Sequence, residues 1–164
     1  PCELSNNLAK IKATEEAISA LTSELLPRAR VITPNIPEAE ILLGGESLSV
    51  QKDLPDAARK LADMYGASVL LKAGHLKEEA LVDIFHDVED GKTYELPSVR
   101  IHTANTHGTG CTLSSAFASM LAKGMSLPEA AAAAKDYING AIIAGAEYKI
   151  GHGFGPVDHF YKFR

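Results

Sequence analysis

The sequence predicts an α/β layer fold whose sheet is mainly parallel with a small antiparallel edge, and three observations carry that expectation. Short apolar runs of strand type alternate with amphipathic helical segments through the first half of the chain. One of those runs, Ala67-Ser68-Val69-Leu70-Leu71-Lys72, is nearly continuously apolar, as a strand buried on both faces is. A hairpin-like pair of runs then precedes two adjacent alanine-rich helical segments.

Taken in order, residues 13–26 read as an amphipathic helix, with Thr14 placed to cap it and Ala17, Ile18, Leu21, Leu25 and Leu26 forming one apolar stripe. Pro27 ends it. Arg30-Val31-Ile32-Thr33 is a short strand stopped by Pro34, and Asn35 opens a turn into a helix over 37–43 that Gly44-Gly45 closes. A helix over 53–65 faces Leu54, Ala57, Ala58, Leu61, Ala62 and Met64 inward and ends at Gly66. The buried strand 67–72 follows and runs out in Ala73-Gly74-His75. Residues 81–85 and 93–96 form the hairpin around Asp90-Gly91, and 99–103 alternates as a further strand. Helices over 111–123 and 127–148 close the pattern, the second opened by Ser126, Pro128 and Glu129. A second glycine loop, Gly151-His152-Gly153-Phe154-Gly155-Pro156, precedes a short aromatic tail.

Composition narrows the partners. With 164 residues, 46% of them hydrophobic, the chain has the material for one domain over 1–164 with a real core. A net charge of −5 with dispersed acidic residues offers no basic stripe for nucleic acid and no polybasic arm for a membrane surface. No apolar run reaches the length of a membrane span and the first residues lack the pattern of a signal peptide, so the chain reads as cytoplasmic. Cys2 and Cys111 are far apart and have no companion in a CxxC pair, and the six histidines fall in no metal-binding spacing. Neither a disulfide framework nor a zinc site is expected.

Chemistry is expected at Thr106-His107-Gly108-Thr109-Gly110-Cys111-Thr112. Gly108 and Gly110 lie at a strand-to-helix turn, where glycine lets the backbone approach a ligand and the first N–H groups of the helix point outward. With the positive end of the helix dipole behind them, they form a cup suited to phosphate. Cys111 stands at the same helix start, which favours its thiolate and brings its pKa below the reference of roughly 8.5. Alone, the turn fits equally a glycine-rich helix entry with Cys111 as a small buried hydrophobe, and it matches neither the P-loop nor the dinucleotide fingerprint. Ligands of open α/β sheets bind beyond the carboxyl ends of the strands, which selects the loops 33–38, 72–75 and 107–111 together. Singly, Glu38 could serve its helix dipole, Asn35 its helix cap and Lys72 a solvated strand end.

Four stretches in this order resemble one family: Ile32-Thr33-Pro34-Asn35-Ile36-Pro37-Glu38, Leu71-Lys72-Ala73-Gly74-His75, Asn105 through Ser114, and Gly151 through Val157. They are similar to the hydroxymethylpyrimidine/phosphomethylpyrimidine kinases of thiamine biosynthesis, within the ribokinase-like superfamily. The resemblance implies a three-layer α/β/α sandwich of which this chain is the C-terminal part, the N-terminal half-sheet and its pyrimidine-holding residues lying outside it. It implies phosphorylation of 4-amino-5-hydroxymethyl-2-methylpyrimidine and then of its monophosphate, with ATP and Mg2+ as cofactors and a homodimer for the full-length protein. By motif, Gly108, Thr109, Gly110 and Cys111 take the place of the anion hole and base. Asn35 and Glu38 take the Asn-x-x-Glu element that helps hold magnesium through water, and Lys72 and Thr33 stand with the nucleotide. Pyridoxal kinase and a nucleotide-binding module without catalysis are the other functions this pattern allows. With the N-terminal strands absent, the apolar faces of helices 13–26 and 111–123 are expected to be uncovered.

Overall fold

The computed structural model describes residues 15–163, which divide into two compact units meeting in sequence at Ser98 and Val99. The first unit opens with α1 (Glu15–Ala20), continued by a wider π turn (Leu21–Leu25) and a tighter turn (Leu26–Arg28) that Pro27 imposes. The predicted cap Thr14 lies outside the described residues. The predicted stripe is buried only at Leu26; Ile18 and Leu21 are half-buried, and Ala17 and Leu25 are exposed.

β1 (Val31–Ile32), α2 (Ile36–Leu42), α3 (Leu54–Tyr65) and β2 (Ser68–Leu71) follow. α3 lays Leu54, Ala57, Ala58, Leu61 and Ala62 onto the sheet, and Tyr65 joins them while donating its hydroxyl to the Leu42 carbonyl at 3.1 Å. Met64, expected inward, is exposed because it falls at the edge of the stripe that Tyr65 completes. β2 is buried at every position, as its apolar run demands. β3 (Ala80–Asp87) and β4 (Lys92–Val99) make the hairpin.

The strand order is β1-β2-β3-β4, with β1 and β2 parallel (Val31 opposite Ser68) and β2 and β3 antiparallel (Leu70 opposite Phe85). The α/β fold is as expected, but the described sheet is mixed rather than mainly parallel. Residues 100–103, predicted as a strand, run irregularly after β4. Alternation of side chains does not make a strand unless a neighbour completes the ladder.

The second unit holds α4 (Thr109–Ala122) and α5 (Leu127–Gly145), with a last turn at Tyr161–Phe163. Alanine lets the two helices approach closely: Ala130, Ala131, Ala134 and Ala141 of α5 and Leu113, Ala116 and Phe117 of α4 are buried. The start of α5 is held by Glu129, whose carboxylate accepts from the Ser126 amide at 3.0 Å and hydroxyl at 2.6 Å. The apolar face of α4, expected to be uncovered, is instead buried at Leu113, Ala116 and Phe117 and half-buried at Met120 and Leu121, and the exposed side carries Ser115, Ala118, Ser119 and Ala122. Among the described residues, no helix is long and apolar enough to cross a membrane.

Candidate active site

The predicted site residues fall into two sets, one in each unit. In the first unit the parallel ladder of β1 and β2 continues past both strand ends: the Lys72 amide donates to Pro34 O at 3.0 Å, and Asn35 and Lys72 form a parallel bridge. That pairing sets Lys72 beside the start of α2, with Thr33 half-buried at the end of β1. Asn35 caps α2 through its Oδ1, which accepts from the Glu38 amide at 2.9 Å, and the Glu38 Oε2 returns the favour to the Asn35 amide at 2.8 Å. Asn35, Glu38 and Lys72 are thus brought together by one helix cap and one strand pair.

Glu38 is 4% exposed, and its second oxygen, Oε1, is buried with no hydrogen-bond partner among the described residues. Burial raises the Glu38 pKa above its ordinary 4.5, against the opposing pull of the Asn35 amide, the Lys72 ammonium and the Asn35 side chain. Lys72 is pushed below its ordinary 10.5 by burial, while Glu38 and Asp83 pull it back up. His75 is held below the usual imidazole value by partial desolvation and by Lys72. An orphaned carboxylate oxygen next to a half-buried lysine suits a divalent ion bound mainly through water and phosphate. Among the described residues, no group of three His, Cys, Asp or Glu is placed to hold a metal ion by itself.

The second set is the turn into α4. Gly108 caps the helix with φ of +85°, a left-handed conformation that side chains rarely adopt. The Thr112 amide donates to Gly108 O at 2.9 Å and the Thr109 amide to Thr106 O at 3.3 Å. Of the amides expected to form the cup, Thr109 is therefore turned inward, and those of Gly108 and Gly110 are left without an acceptor among the described residues. Cys111 stands in the first turn of α4. It is disulfide-bonded in the structure, with its bonding partner outside the described residues. The expectation of no disulfide is corrected there. Beside Cys111 a cavity of about 460 Å³ opens along α4, lined by Thr112, Ser115, Ala116, Tyr137 and His159. His159 Nε2 lies 3.0 Å from Thr112 Oγ1, and its carbonyl accepts from Tyr137 Oη at 2.8 Å.

The model of the phosphomethylpyrimidine kinase family matches residues 8–158 of this chain. The chain belongs to that family. It is 44% identical over 149 residues to the hydroxymethylpyrimidine/phosphomethylpyrimidine kinase of Rhizobium meliloti, covering 90% of this chain and 55% of that protein. Among solved structures it is similar to Bacillus subtilis pyridoxal kinase in its ADP complex, at 38% identity and a TM-score of 0.82 over 92% of this chain and 57% of that one. Staphylococcus aureus pyridoxal kinase with AMP-PCP and pyridoxal is also similar, at 33% identity and a TM-score of 0.81 over 90% and 54% of the two chains. The neighbours identify the α/β fold of a phosphomethylpyrimidine kinase family member as ribokinase-like. The chain spans about half the length of the relatives it matches.

Two groups escaped the sequence analysis. Asp83 on β3 is 3% exposed, accepts the Ala73 amide at 2.8 Å and faces Lys72 electrostatically. Asn105, 6% exposed, lies inside the quoted motif, but only the structure reveals what it binds. A buried polar residue in an otherwise apolar strand was the signal available for Asp83.

Proposed function

We propose that this chain is the C-terminal part of a kinase that transfers the γ-phosphoryl group of ATP to 4-amino-5-hydroxymethyl-2-methylpyrimidine and then to its monophosphate. The observation that carries the reading is the family match running through both units, over the very residues that form the two charged sets. Phosphoryl transfer asks for charge stabilisation on the moving group and a partner for the attacking hydroxyl's proton.

Gly108, Gly110 and the dipole of α4 supply the first requirement at one set of residues, and Lys72 adds a cation at the other. Cys111, as the thiolate of its reduced form, accepts the hydroxyl proton. Glu38 holds magnesium through water with Asn35 orienting its carboxylate, and the ion supplies Lewis-acid neutralisation of the phosphates when bound. Thr33 lies with the nucleotide. The reading places the enzyme in the cytoplasm, with small-molecule substrates, no nucleic acid or membrane partner, and a homodimer as the full-length state. It also takes residues 1–164 as part of one kinase domain.

Likeness to the two pyridoxal kinases favours a second reading, phosphorylation of the hydroxymethyl group of pyridoxal. A coupled assay of ADP release, run in reductant with each acceptor, decides between them. The first reading expects turnover with the pyrimidine and little with pyridoxal. Turnover with pyridoxal alone would replace it by the second, and nucleotide binding without turnover on either acceptor would leave a binding module.

A further inference from the structure

α5 ends at Gly145, and the carbonyls of a helix's last turn have no partner within the helix. Here the last of them, Gly145 O, and the carbonyls of Ala146 and Tyr148 just past the helix end are gathered by one side chain from a distant loop. Asn105 Nδ2 donates to Gly145 O at 2.8 Å and to Tyr148 O at 2.8 Å, with Ala146 O at 3.2 Å as a third, longer acceptor. Thr103 supports the arrangement from the same loop: its hydroxyl donates to Ala146 O at 2.9 Å and accepts from the Asn105 amide at 3.0 Å.

The other face of the Asn105 amide meets the second glycine loop. A Cβ added at Gly155 would overlap Asn105 Oδ1, so only glycine lets that loop pass. Two residues beyond Asn105, the His107 amide donates to Gly155 O at 3.0 Å and His107 bridges to Pro156 in parallel. The next residue is Gly108, the cap of α4. Asn105 therefore ties three separate segments of the second unit to the stretch of backbone immediately before the phosphate-binding turn.

We infer that Asn105 is a positioning residue for that turn: its donor amide, clasped by the end of α5 and seated against Gly155, fixes where the Gly108 and Gly110 amides point. The inference rests on the proposed kinase reading for its functional consequence, but the clasp can be tested without it. An amide is suited to the task because it presents two donors to a ring of carbonyls. Aspartate has the same shape and no donor, so Asn105→Asp aims a carboxylate at three carbonyl oxygens and opens the clasp.

Two measurements on the protein carrying Asn105→Asp test this. Hydrogen exchange of the His107 amide, referred to amides in the middle of α5, is expected to quicken about tenfold or more, the scale of one lost buried hydrogen bond. Steady-state kinetics are expected to show a raised KM for ATP and a lowered kcat, with KM for the acceptor within about twofold. A merely structural loss removes active molecules and leaves both KM values where they were. Unchanged His107 exchange, or a fall in kcat with neither KM moved, overturns the inference. If the native protein shows no turnover, the kinase reading fails and the exchange result alone decides the clasp. Should Asn105→Asp not fold, Gly155→Ala displaces Asn105 by steric overlap while sparing its chemistry, and the same two outcomes apply.

Discussion

Under the proposed kinase reading, the two units serve phosphate chemistry by different means. In residues 15–98 charge is placed by side chains: Glu38, Lys72 and Asp83 are drawn to one end of the β1–β2 ladder, the two carboxylates by accepting backbone amides and Lys72 by strand pairing. In residues 99–163 the charge is that of the backbone itself, aimed by the left-handed Gly108 and by the Asn105 clasp. The contrast teaches that the first unit should tolerate backbone change and be sensitive to charge, whereas the second should tolerate little change in backbone and use a single side chain for chemistry.

The largest effect expected is at that single side chain. Cys111→Ala should lower kcat by about 10²- to 10⁴-fold, the range for removing a general base, and leave ATP affinity near native. The native enzyme should need a reductant to reach full rate, because the cysteine is disulfide-bonded in the structure. Single-turnover kinetics with and without thiol check both points, and a Cys111→Ala enzyme as fast as native would remove the base from the second unit.

Next in size, Lys72→Met should weaken ATP about 10- to 100-fold, as the loss of one charge-assisted hydrogen bond does, with the chain still folded by circular dichroism. An unchanged affinity would show that the buried ammonium serves Glu38 and Asp83 alone.

Glycine substitutions sharpen the backbone side of the comparison. Gly108→Ala forces a side chain into a left-handed conformation and should cost about 1–2 kcal/mol in urea unfolding. Gly74, in the loop after β2, has nothing within 4 Å of an added Cβ and no positive φ, so Gly74→Ala should fall within about 0.5 kcal/mol of native. Equal costs at the two positions would erase the distinction.

The smallest effect is a pH dependence. Burial raises the Glu38 pKa in the folded state, so the stability tied to its neutral form is fully present below its ordinary 4.5 and is lost as pH rises through the raised value. Glu38→Gln should therefore be more stable than native at pH 7, with the difference vanishing below 4.5. Denaturant midpoints at several pH values measure it, and a difference that stays constant across that range would show that Glu38 pays no burial penalty.

Much of this was readable from the amino-acid order because local rules agree there with the fold. The Asn35–Glu38 cap, the all-apolar β2, Gly108 at the head of α4 and the Ser126–Glu129 start of α5 each follow from interactions within a few residues. The readings that failed depend on distant partners. Residues 100–103 alternate like a strand yet run irregularly, and Ala17 and Leu25, read as part of one apolar stripe, stay exposed. Asn105 and Asp83 could be seen as residues but not as contacts, since their partners lie 40 to 43 and 10 positions away.

Calorimetric titration of ATP, with and without Mg2+, into native, Glu38→Gln and Gly110→Asp proteins tests the division between side-chain and backbone charge most directly. The expected result is that Glu38→Gln loses only the magnesium-dependent part of the affinity, while Gly110→Asp, which sets a carboxylate in the anion turn, loses binding under both conditions. Retained magnesium enhancement in Glu38→Gln, or native affinity in Gly110→Asp, would contradict it.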